Sequence, residues 1–98
     1  MALDRTFMDY KEEIFRGEQA KNILESAIYK ESWEKVREGI ITAWETSPIR
    51  DKEGQHELKL MLKCLKDVQN YMENVVITGK MAKIHLEKDS FVRNMFRK

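Results

Sequence analysis

Apolar residues recur along this chain at alternating three- and four-residue intervals. The longest run takes Leu58, Met61, Leu65, Val68, Met72, Val75, Gly79, Ala82 and Leu86. That is a heptad pattern with small or apolar residues at every a and d position. Leu62 and Val76 add e positions, so the apolar face is wider than a strict two-stranded coil needs. The pattern predicts a helix over about 52–88, roughly 50 Å long at 1.5 Å per residue. Gly79 can end a helix as a C′ residue. It also holds an a position in a pattern that continues in phase through Ala82 and Leu86. The phase favours one continuous helix, with Gly79 and Ala82 allowing close backbone approach by a partner helix.

Upstream, Leu3, Phe7, Tyr10, Ile14 and Leu24 mark a first helix over about 4–25, with Phe15, Ala20 and Ile23 beside them. Asp4 or Thr6 caps it, and Gly17 interrupts its middle. Ser26 is the cap of a second helix over 27–46. Tyr29, Trp33, Val36, Ile40 and Ala43 form its buried stripe, with Trp44 one step off and Ile41 further round. Helical spacing makes both tryptophans core residues first. The segment Thr46-Ser47-Pro48-Ile49-Arg50-Asp51 breaks the helix, because Pro48 removes a donor and biases Ser47 away from helical dihedrals. Asp51 caps the third helix and Glu53 favours its first turn. So short a loop makes the second and third helices antiparallel neighbours.

These elements predict an all-α fold in a single domain, 1–98. It is an antiparallel helical hairpin (27–46 and 52–88) plus an N-terminal helix or arm (1–25). A basic, apolar tail (89–98) follows, in which Asp89 or Ser90 starts a new turn. One hairpin covers the wide third-helix face only in part, so an oligomeric helical bundle and a homo-oligomer are expected. The residues expected to make protein contacts are Leu58, Met61, Leu62, Leu65, Val68, Met72, Val75 and Val76, with Phe91, Met95 and Phe96 of the tail.

Composition fits this picture. The chain is 42% apolar and 36% charged with one Pro and four Gly, which suits long helices. Net charge is +1, yet residues 1–49 carry seven Lys/Arg against ten Asp/Glu and residues 50–98 carry eleven against seven. An acidic first half can therefore meet a basic second half. Cys64 stands alone, so no internal disulfide forms and a reducing compartment fits. No stretch approaches the ~20 apolar residues of a membrane span, and the N-terminus does not read as a signal peptide. A soluble protein with no membrane partner is expected.

Little of the chain points to reaction chemistry. His56, Cys64 and His85 have no zinc-ligand spacing, so no metal site is expected. Cys64 lies between Lys63 and Lys66 but has no identifiable base, and reads as a half-buried structural thiol. The carboxylates fall into helix-face pairs such as Glu31 with Lys35. No Gly-rich phosphate loop or dinucleotide fingerprint occurs, so no cofactor is expected and the chain does not read as an enzyme. The tail is the one place where charge suggests a ligand. Lys83, Lys88, Arg93, Arg97 and Lys98, interleaved with Phe91 and Phe96, form a candidate nucleic-acid contact. The competing reading is a solvated basic end, or one docked on the acidic first half.

The segment Ala43-Trp44-Glu45-Thr46-Ser47-Pro48-Ile49-Arg50-Asp51-Lys52-Glu53-Gly54 is followed by a Leu/Met-rich helix and then by Thr78-Gly79-Lys80-Met81-Ala82. This pattern, over about 23–86, resembles a group of short helical proteins encoded by tailed bacteriophages and prophages among genes for DNA packaging and head assembly. Leu24-Glu25-Ser26, followed by an aromatic residue and Trp33, also fits. Ala27 departs from a Pro often found there. The group carries no catalytic residue to transfer. The resemblance implies a phage-encoded accessory or assembly protein, in the host bacterial cytoplasm or the virion, whose partner is a phage or host protein. A small-terminase-like, DNA-packaging subunit and a small inhibitor of a host protein are the alternatives.

Overall fold

A computed structural model describes residues 6–96. Three helices follow in order: α1 (Phe7–Glu25), α2 (Ala27–Thr46) and α3 (Lys52–Met95). The fold is all-α, with the long C-terminal helix packed against the two that precede it. Each start has a local cause. The Asp9 amide donates to Thr6 Oγ1 at 3.2 Å while the Thr6 amide donates to Asp9 Oδ2 at 3.0 Å, a reciprocal capping box. Asp4 lies outside the described residues. Ser26 alone separates α1 from α2, and its Oγ accepts from the Tyr29 amide at 3.5 Å. Asp51 Oδ1 accepts from the Gly54 amide at 3.0 Å, and Gln55 Nε2 ties the loop down by donating to the Pro48 carbonyl at 2.9 Å.

The third helix is longer than the pattern suggested. It runs unbroken through Gly79, as expected, and also through Asp89 and Ser90, where a fresh start was expected after Lys88. No Gly or Pro follows Gly79, so nothing in the backbone ends the helix sooner. At 44 residues it is roughly 66 Å long.

The chain divides into two compact units. In the unit Ile23–Tyr71, α2 packs antiparallel on the first part of α3. Ile40 is buried, and Tyr29, Trp33 and Ile41 are half-buried. Val36 and Ala43, expected in that stripe, are exposed, because the covered face of α2 turns toward Ile41. On α3, beyond Gly54 and Gln55 at its start, the half-buried residues of this unit are Leu58, Leu62, Leu65 and Gln69, at a and e positions. Met61 and Val68, assigned to the seam by the heptad reading, are 53% and 58% exposed. The wide face predicted from Leu62 is real, and the chain covers its e side.

In the unit made of residues up to Asn22 and from Met72 onward, α1 runs antiparallel to the last part of α3. Here the a and d positions are covered: Met72, Val75, Gly79, Ala82 and Leu86, with Val76 beside them. Gly17, read from sequence as an interruption, is instead the point of closest approach. A Cβ on Gly17 would lie 3.0 Å from the Gly79 Cα and 3.3 Å from the Val75 carbonyl oxygen. A Cβ on Gly79 would lie 2.9 Å from the Glu13 carbonyl oxygen. Ala20 and Ala82 complete the contact at 7% and 0% exposure. One end of this crossing is closed by Tyr10 stacked on His85, ring centroids 5.9 Å apart.

Candidate interaction surfaces

Among the described residues, no group of His, Cys, Asp and Glu is placed to hold a metal ion. His56 is exposed, and His85 lies against Tyr10. Cys64 is exposed rather than half-buried, because it falls outside both covered stripes of α3. Its neighbour Lys63 donates to Asp67 Oδ2 at 2.9 Å. That hydrogen bond, with the attraction between the charges, raises the lysine above its ordinary pKa.

What the surface does offer is apolar. Among the described residues the only buried apolar ones are Ala20, Ile40 and Ala82, and no large side chain is fully buried. Of the residues expected to make protein contacts, Leu58, Leu62, Leu65, Met72, Val75 and Val76 are half-buried within the chain. Met61, Val68, Phe91, Met95 and Phe96 are exposed.

A second strip joins Phe91 and Met95, expected from sequence, to Ile77, Met81 and Ile84, which were not. Ile77, Met81, Ile84, Phe91 and Met95 are between 49% and 67% exposed. Their spacing, with Lys88 in the one gap, is four, three, four, three, four. Ile77 and Met81 each stand two residues from Gly79, so both lie about 160° round the helix from it. The strip therefore occupies the side of α3 away from α1. Its signal was present in the spacing, masked by the stronger run through Leu58 and Leu65.

The basic residues behave differently. Lys83, Lys88 and Arg93 are exposed, but five-residue gaps set successive ones about 140° apart round α3. They form no single stripe. Arg97 and Lys98 lie outside the described residues.

Within the unit Ile23–Tyr71, a groove of about 450 Å³ opens where the end of α2 meets the start of α3. Ile40, Ile41 and Trp44 of α2 and Leu58 and Leu62 of α3 are its apolar lining. Lys52, Gln55, His56 and Lys59 of α3 are its polar lining. Trp44 is 54% exposed there, which explains why it stands off the α2 stripe.

No helix among the described residues is long and apolar enough to cross a membrane. Comparison with protein-family models, with curated protein sequences and with solved structures finds no match for this chain.

Proposed function

We propose that this chain is a non-enzymatic, phage-encoded accessory or assembly protein that acts through helical contacts and self-association. The observation that carries the self-association is the exposed heptad strip of Ile77, Met81, Ile84, Phe91 and Met95. Apolar side chains at coiled-coil spacing on one helix face are what a second helix covers. The phage origin rests on the resemblance over 23–86, and the contacts would be made to further copies or to another phage protein.

Sedimentation equilibrium of the full chain tests this. Met81→Glu and Ile84→Glu together place charges in the strip and should convert an oligomer to monomer while helicity is retained. A wild-type chain that stays monomeric throughout the micromolar range overturns self-association. Detection in purified virions supports the assembly role; absence from them favours an inhibitor of a host protein. Salt-sensitive DNA binding that is lost on removing residues 88–98 would instead favour a packaging subunit.

A further inference from the structure

The groove at the α2–α3 turn is unrelated to the exposed strip, and its chemistry is one-sided. Lys52, His56 and Lys59 are spaced four and three apart, so they follow one stripe of α3. No carboxylate lines the groove. The nearest acid in the turn, Asp51, is committed to the Gly54 amide, and the Gln55 side-chain amide already donates to the Pro48 carbonyl. The polar groups at the base are thus satisfied within the chain, while the lysines are free to take an external anion. On the α2 side of the groove, Trp44 presents an apolar face with Ile40. Its volume suits one or two bulky side chains rather than a whole helix.

We propose that this groove docks a short acidic peptide segment of a partner protein. One bulky apolar side chain of that segment enters against Trp44, and adjacent carboxylates meet Lys52 and Lys59. Charge complementarity selects this occupant: a basic segment would be repelled along the whole stripe, and a neutral apolar one would forgo the ion pairs with both lysines.

The test uses the full chain and three synthetic peptides that share a central Phe-Leu pair, flanked by Glu, by Gln or by Lys. Binding is read from the indole N–H and backbone amide shifts in ¹H–¹⁵N spectra. The Glu peptide should shift Trp44, Lys52 and Lys59 saturably and bind about tenfold more tightly than the Gln peptide at low salt. The Lys peptide should not bind. Lys52→Glu with Lys59→Glu should abolish the preference for Glu, with the Trp33 resonance unchanged as a check that the hairpin is folded. Equal binding of the Glu and Gln peptides overturns the proposal, as do shifts confined to residues 77–95. So does a Trp44 resonance that moves on dilution without peptide, which would mark a second copy as the occupant.

Discussion

The two helix contacts of this protein are built from opposite materials. Where α1 meets α3, the closest part of the contact is made by Gly17, Ala20, Gly79 and Ala82. Where α2 meets α3, it is made by Tyr29, Trp33, Ile40, Leu58, Leu62 and Leu65. The first removes side chains so that backbones touch, and its stabilisation comes from many short dispersion contacts. The second removes apolar area from water, at about 25 cal/mol per Å². It also encloses the Tyr29 hydroxyl and the Trp33 indole N–H with no hydrogen-bond partner among the described residues. Each contact is therefore vulnerable to a different change: one to added atoms, the other to removed ones.

Removal from the large-residue contact should give the largest effect. Ile40→Ala deletes the most buried large side chain of α2 and should cost about 3 kcal/mol in urea unfolding followed by circular dichroism. A loss under about 1 kcal/mol would mean that the site collapses around the cavity.

Addition to the small-residue contact comes next, and it is best read as a pair. Gly79→Ala pushes a methyl against the Glu13 carbonyl and the Gly17 Cα, both backbone atoms, and should destabilise by about 1–3 kcal/mol. Gly39→Ala, also inside a helix, meets nothing within 4 Å and should stabilise by about 1 kcal/mol through helix propensity alone. Opposite signs from one substitution at two helical glycines would isolate the close approach from propensity. Amide exchange should show the Gly79→Ala loss first in α1. The smallest expected change is Tyr29→Phe, which removes an enclosed hydroxyl without a partner and should leave stability unchanged or raise it by about 1 kcal/mol.

How far the sequence foretold these contacts depends on whether a residue signals by presence or by absence. Thr6, Ser26, Pro48 and Asp51 each mark a boundary with a local chemical device, and each acts where its residue type implied. Gly79 was legible because the apolar run on both sides kept its phase. Gly17 was not, since a glycine contributes no side chain to a stripe and resembles a defect in helix propensity. Yet Gly17-Glu-Gln-Ala20 and Gly79-Lys-Met-Ala82 share one Gly-x-x-Ala spacing, which pairs them in retrospect. The choice of Leu62 and Gln69 over Met61 and Val68 was likewise hidden. Three-and-four spacing says which residues share a face, and a wide face leaves open which edge a partner helix covers. The groove was invisible for a further reason: Trp44 and Lys59 come from different helices, and only their packing brings them to one opening.

The sole sulfhydryl of this protein sits on an outward turn of its longest helix, clear of both packed stripes. Cys64 is thus a ready-made attachment point for a dye or a spin label, needing no engineered substitution. Under the self-association proposed above, distances between labels on two copies would distinguish parallel from antiparallel pairing of their third helices.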